Sequence, residues 1–430
     1  MNTDHNWSSL DNAALIFPAA AQKADTQVFR ISCELYEKID PVILQNALDQ
    51  TIQIFHVYQS VLKRGFFWYY LESTDRKPVV HEENTQPCAA LYRKSSKNLL
   101  FDVSYFKNRV NLEVYHVLAD GTGAMHFLRT LMTKYLSQYH HIAEPNLDFD
   151  ASAMQMSDDS FRKYYRGSSR KKQARRTFAC RLRGHKYPED RLKIMTGLIK
   201  IQPLLDSAHR HHTTLTVFLA ACLMNAISET VHERTKKRPI VLDIPVNLRS
   251  HFPSASARNF FSVLLIGYDY WHHDGTFEDV VKMISDDLRA GLSKEKLTQV
   301  IETYSAVEHN IFARITPLII KDPALKVAYH YAARRKTAGF SNLGIVSMPQ
   351  ELESFIRSFD ICYGSNQLQV CMCSFQDRLS ISFSSPFVSS EIQRRFFRTL
   401  TSLGAEVEIT ASPTGDVKEG GPKHEVLRKM

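Results

Sequence analysis

The chain has few cysteines, and none at metal-ligand spacing. Its seven cysteines are scattered over 430 residues, only Cys371 and Cys373 lie near each other, and no Cys-x-x-Cys pair occurs. That excludes a zinc ribbon and a disulfide framework, and points to a reduced, cytoplasmic setting. Long apolar runs are also missing. The longest, Leu215 to Ile227, is too short to span a membrane. The apolar piece from Ala13 to Ala21 contains Pro18 and follows Asp4 with no early Lys or Arg, which does not read as a signal peptide. There is no Gly-x-Ser-x-Gly elbow, P-loop or dinucleotide fingerprint, so neither a covalent serine or cysteine mechanism nor a nucleotide-binding fold is indicated. No short-period repeat is present, which sets solenoids aside.

The composition that remains is ordinary for a globular protein, with 44% hydrophobic and 23% charged residues and length enough for two cores. The net charge of +9 suits an anionic ligand, a nucleic acid or an acidic partner without choosing among them. Much of it is concentrated. After an acidic start at Asp148, Asp150, Asp158 and Asp159, cations from Arg162 to Lys186 follow with no acid among them. This stretch reads as an exposed crossover between two lobes, or else as a phosphate-contacting surface. No zinc-finger or aromatic RNA-binding signature accompanies it, so nucleic acid is not an expected partner. The implied organisation is an N-terminal lobe over 1–145, the basic crossover over 146–190, a C-terminal lobe over 191–411 and a polar tail over 412–430.

Periodicity places strands at 28–35, 66–71, 99–106, 110–115, 192–199, 239–246, 259–268, 355–361, 368–375 and 379–383. Helices are expected after Asp40-Pro41, from about Met125 to Leu136, from Val217 to Val231, after Thr276, over 298–333 and after Ser389. Strands broken by helices argue α/β or α+β rather than a bundle.

The chemistry is expected at one junction. Val110 to Tyr115 alternates apolar and polar residues, and Met125, Leu128, Leu131, Met132, Tyr135 and Leu136 recur at helical spacing. Between them lies His116-Val117-Leu118-Ala119-Asp120-Gly121. A strand end is rigid and gives an imidazole the fixed position a general base needs. In the plainer reading, Asp120 caps the helix and His116 is a hydrogen-bonded core residue. Other histidines (His140-His141, His209 with His211 and His212, His272-His273) have no Glu or Cys at ligand spacing and read as solvated polar residues, so no metal site is expected.

The pattern His-x-x-x-Asp-Gly at a strand-to-helix junction resembles the active-site motif of the chloramphenicol acetyltransferase-like superfamily, which includes condensation domains, plant acyltransferases and alcohol acetyltransferases. Trp7 to Pro18 resembles the start of bacterial proteins of the alcohol acetyltransferase branch. Ile244-Pro245-Val246-Asn247-Leu248-Arg249, with Phe252-Pro253 and Arg258-Asn259-Phe260, resembles its second-lobe strand and loop, and Ser341-Asn342-Leu343-Gly344 its Ser-Asn element. The resemblance runs roughly from Trp7 to Leu403. It implies an α+β sandwich of two lobes with a channel between them, and an O-acyltransferase with no permanently bound cofactor. Acetyl-coenzyme A, or another acyl-coenzyme A, would be the donor and a small alcohol the acceptor. An acyl carrier protein as donor, and an inactive binding relative, remain the alternatives. His116 would be the general base. Asp120, followed by Gly121, would support the site through an ion pair with Arg249. Ser341 and Asn342 would line the oxyanion region, where attack on a thioester builds negative charge. Tyr115 stands where condensation domains usually carry a first histidine, and the Asp-Phe-Gly-Trp-Gly element of plant acyltransferases is missing.

Overall fold

The computed structural model describes residues 7–93, 97–147, 159–167, 178–412 and 425–426. Three sheets organise it. The first has five strands: β2 (Val28–Leu35), β5 (His81–Glu82), β6 (Phe101–Phe106), β7 (Arg109–Tyr115) and β12 (Ile356–Tyr363), in the order β12-β2-β7-β6-β5. The second has eight: β8 (Lys193–Lys200), β9 (Ile240–Asn247), β10 (Phe261–Tyr268), β11 (Ala338–Ile345), β13 (Gln369–Phe375), β14 (Arg378–Ser385), β15 (Val407–Ala411) and β16 (Glu425–Val426), in the order β10-β9-β11-β13-β14-β8-β15-β16. The third is a small sheet in which β4 (Tyr69–Ser73) lies between β1 (Trp7–Ser9) and β3 (Ser60–Arg64). The mixed α/β class expected from the sequence is the class observed.

β7 sits centrally in the five-stranded sheet, and six of its seven residues are buried. The helix Gly121–Tyr139 that follows buries Phe127, Leu128, Leu131 and Leu136 with residues of the Pro41–Ile52 helix in one core. That second helix starts as its Asp40-Pro41 sequence suggests, with the Asp40 carboxylate accepting from the N–H groups of Val42 and Ile43. The other core lies under the eight-stranded sheet, around the apolar helix Leu215–Thr230. The two sheets are tied by β12. It pairs antiparallel with β2 although it comes from the C-terminal half, and the Tyr363 N–H donates to Ser384 Oγ on β14. A cut of the chain into 1–145 and 191–411 therefore assigns one strand of the first sheet to the second segment.

Several local readings differ from what the sequence suggested. The expected strand over 66–71 begins only at Tyr69, with β4, and its first residues form the tip of the β3–β4 hairpin. Gly65 donates its N–H to the Trp68 carbonyl, and a Cβ on Gly65 would lie 2.7 Å from that oxygen, so the chain reverses there and leaves Phe66 and Phe67 exposed at the tip. The helix expected over 298–333 is three pieces, Lys294–His309, Ile311–Ile315 and Leu318–Ala333, broken at Asn310 and before Pro317. β15 was hidden by its polar Glu408 and Thr410. Where it is described, the crossover keeps its cations Arg162, Lys163, Arg166, Arg181, Arg183 and Lys186 exposed, as expected, but is anchored by a few buried residues. Phe161 is fully buried against Phe260, and Cys180 donates its N–H to the Pro239 carbonyl. Its cations Arg170 to Arg176 and its acids Asp148 to Asp158 lie outside the described residues, as does most of the tail, whose Glu425–Val426 forms β16. All seven cysteines are buried and unbridged. Among the described residues, no single helix is long and apolar enough to cross a membrane.

Candidate active site

His116 is the first residue beyond β7. Its N–H donates to the Gln27 carbonyl at the start of β2, which continues the strand register by one bond. Neighbouring strand residues point to opposite faces. Tyr115 accordingly points into the core, stacked on Tyr92 and wholly buried, while the His116 ring turns toward the second sheet. That ring is partly exposed and walled by Phe17 (4.8 Å between centroids), Phe29 (5.2 Å), Phe261 (5.2 Å) and Tyr363 (6.0 Å). The residues come from both halves of the chain, so the imidazole lies where the halves meet.

Its protonation follows from its partners. Nδ1 is 3.0 Å from Asn259 Oδ1, and the Asn259 amide nitrogen donates to the His116 carbonyl and to Asp11 Oδ2, both at 3.0 Å. Two acceptors hold the amide NH2, so the amide oxygen faces the ring and must accept. Nδ1 then carries the proton and Nε2 the lone pair. Burial is the largest influence on the imidazole and holds its pKa below the ordinary value, against the opposing pull of Asp120 and Asn259. The ring is therefore neutral at pH 7. Asp11 is itself pushed up to about 6 by burial, with Arg258 opposing. Asn259 and Asp11 both fall within the stretches that carried the resemblance, but nothing in their spacing marked them as neighbours of His116.

Asp120 organises the backbone. One oxygen caps the helix by accepting from Gly123 N–H at 2.9 Å. The other accepts from Arg249 at 2.7 Å and from Phe260 N–H at 2.8 Å. Both side chains of the pair are nearly buried, 9% and 6% exposed. Arg249 also donates to the Ser256 and Arg258 carbonyls, so one guanidinium holds the loop that delivers Asn259. Gly123 is the tighter of the two motif glycines. A Cβ there would lie 1.9 Å from the Ala257 carbonyl oxygen, whereas one on Gly121 would meet the ends of two side chains, Leu343 at 3.0 Å and Ile361 at 3.9 Å.

Ser341 and Asn342 lie on β11 and are joined to the motif through Leu343. Asn342 donates to Thr216 Oγ1 at 2.9 Å, and its Oδ1 accepts from Gly344 N–H at 2.8 Å, a local turn ending on a glycine with φ of +87°. On the other side of His116, Gln27 bonds Tyr329 and Tyr363 through its side chain, and Tyr329 donates to Asp25 at 2.7 Å. Burial raises Asp25 to about 6. Sequence reasoning did not find this group. Among the described residues, no cluster of three or more His, Cys, Asp or Glu could hold a metal ion.

The sequence profile described as alcohol acetyltransferase matches residues 142–386, more than half of the chain. The chain belongs to the alcohol acetyltransferase family. It is thereby an acyltransferase, although the matched span begins after the His116 motif. Solved structures extend the likeness of fold over nearly the whole chain. A starter condensation domain of rhizomide synthetase, a mutant in complex with C8-CoA, is 15% identical with a TM-score of 0.64, covering 93% of this chain and 95% of that one. Polyketide synthase associated protein 5 from Mycobacterium tuberculosis is 14% identical with a TM-score of 0.59 over 92% and 97%. The trichothecene 15-O-acetyltransferase of Fusarium sporotrichioides is 10% identical with a TM-score of 0.58 over 93% and 97%. At these identities they speak for the fold alone, which the family shares with condensation domains. A search of curated proteins finds no match.

Proposed function

We propose that this family member transfers an acyl group, acetyl in the first instance, from coenzyme A to an alcohol hydroxyl. His116 Nε2 is the general base. The carrying observation is the neutral, tautomer-fixed imidazole at the meeting of the two halves. Nε2 takes the hydroxyl proton as the oxygen attacks the thioester carbonyl. The tetrahedral intermediate collapses with cleavage of the C–S bond, and the same proton passes to the departing sulfur. The ester and free coenzyme A leave, and the ring returns to its starting tautomer. Ser341 and the backbone around Gly344 are the candidates to face the oxyanion. The Asn342 amide NH2, the donor such a role needs, already gives one hydrogen to Thr216 Oγ1. Asp120 and Arg249 stay out of proton transfer and keep the loop of Asn259 in register with His116. On this reading the enzyme works in the cytoplasm, and its two lobes are 1–145 joined by β12, and the rest of 191–411.

The test is His116→Ala in a free-thiol release assay with acetyl-coenzyme A and a panel of alcohols, with folding checked by circular dichroism. A fall of about two to four orders of magnitude in rate is expected. Near-normal turnover in the folded variant rules out the base. Wild-type turnover only with acetyl loaded on an acyl carrier protein, and none with free acetyl-coenzyme A, moves the donor to the carrier. No thioester turnover with either leaves a binding protein.

A further inference from the structure

The helix Leu318–Ala333 is apolar on the side that faces water. Only Leu318 of its sixteen residues is buried. Ile319 is 74% exposed and Val327 71%, with Ile320 and Tyr331 also exposed, and Pro323, Ala324, Lys326, Ala328 and His330 are the other exposed residues between them. A helix of this length presents a strip about 24 Å long. The strip is extended by the hairpin tip. Leu318 donates its N–H to the Phe66 carbonyl at 2.9 Å, and Lys321 reaches the Phe67 carbonyl at 2.8 Å, which brings the tip that carries the exposed Phe66 and Phe67 to the start of the helix. An apolar patch of this extent on one face of a soluble domain marks a contact surface.

Charge selects its occupant. From Ile311 to Lys336 the cations are Arg314, Lys321, Lys326, Arg334, Arg335 and Lys336, of which Lys336 is already paired with Asp243, and the single acid is Asp322. Asp322 already takes Arg64 at 3.1 Å and the Tyr69 hydroxyl at 2.9 Å. A two-fold contact with a second copy would bring these like charges together. An anionic lipid surface complements them, and an exposed apolar strip with Phe at its edge and Lys and Arg along its flanks is the composition of a helix lying in a bilayer interface.

We propose that the outward face of Leu318–Ala333, together with Phe66 and Phe67, docks this chain on an anionic phospholipid membrane without crossing it. The inward side of the same helix carries Tyr329, bonded to Asp25 and Gln27, and the Gln27 carbonyl holds the His116 N–H. Docking there would put the candidate site at the membrane surface. The proposal does not depend on which reaction the site performs.

The experiment is co-sedimentation of the full chain with vesicles of phosphatidylcholine alone and of phosphatidylcholine mixed with phosphatidylglycerol. The wild type should sediment with the mixed vesicles and lose binding as salt is raised. Ile319→Glu with Val327→Glu, both at exposed positions, should lower binding at least tenfold while circular dichroism is unchanged. Lys326→Gln should lower it about fivefold, the worth of one cation at such a surface. Failure of the wild type to bind the mixed vesicles overturns the proposal, as does equal binding by the double Glu variant. So does a wild-type dimer in light scattering that the double variant abolishes, since the face would then belong to a second copy.

Discussion

Asp120→Ala removes one carboxylate that serves three donors: Gly123 N–H, Phe260 N–H and the Arg249 guanidinium. The guanidinium stays nearly buried, with only neutral acceptors, the Ser256 and Arg258 carbonyls and Asn247 Oδ1, to face its charge. Breaking a buried pair from one side costs about 3–5 kcal/mol, and losing a helix cap adds about 1 kcal/mol, so a loss of about 4–6 kcal/mol is expected. Arg249→Met should cost less, about 3 kcal/mol, because the carboxylate keeps its two backbone donors. Once either partner is gone, removing the second has little left to break. The double variant should therefore fall short of the summed losses by about 2–3 kcal/mol. Urea unfolding followed by near-ultraviolet circular dichroism measures the four corners of the cycle. Losses that add to within about 0.5 kcal/mol would show that the two side chains do not support each other, and the reasoning would fail.

Three further outcomes follow from the same geometry. Asn259→Ala takes away the acceptor that fixes the His116 tautomer; a hydrogen bond is worth about 1 kcal/mol, so kcat should fall at least about fivefold with KM little changed. In the wild type kcat/KM should rise with pH and level off above the acid limb. His116, held below its ordinary value, and Asp11, near 6, must both lose their protons there, so a limb centred above pH 7 would contradict the assignment. Gly123→Ala forces a methyl against the Ala257 carbonyl and should destabilise by about 1–3 kcal/mol or more in thermal unfolding, whereas Gly121→Ala displaces only a Leu343 methyl and should be tolerated.

The sequence alone determined what local patterns and family motifs can carry. Alternation over Val110 to Tyr115 and helical spacing from Met125 to Leu136 located β7 and its helix. The mixture of strands and helices gave the fold class, and the motifs around Trp7, Ile244 and Ser341 gave the acyltransferase family. Local pattern misled where a tight turn or a proline interrupted it, as at Gly65 and Pro317. The tertiary structure alone decided which residues meet. Asn259 and His116 are 143 residues apart, and Asp11 and Asn259 248 apart, and no periodicity links positions so distant. β12 returns to the first sheet because it pairs with β2 across a register no local signal encodes. Burial, which sets the His116 pKa below its ordinary value and leaves the Leu318–Ala333 helix face uncovered, belongs to packing among distant segments, so it had to be read from the folded chain.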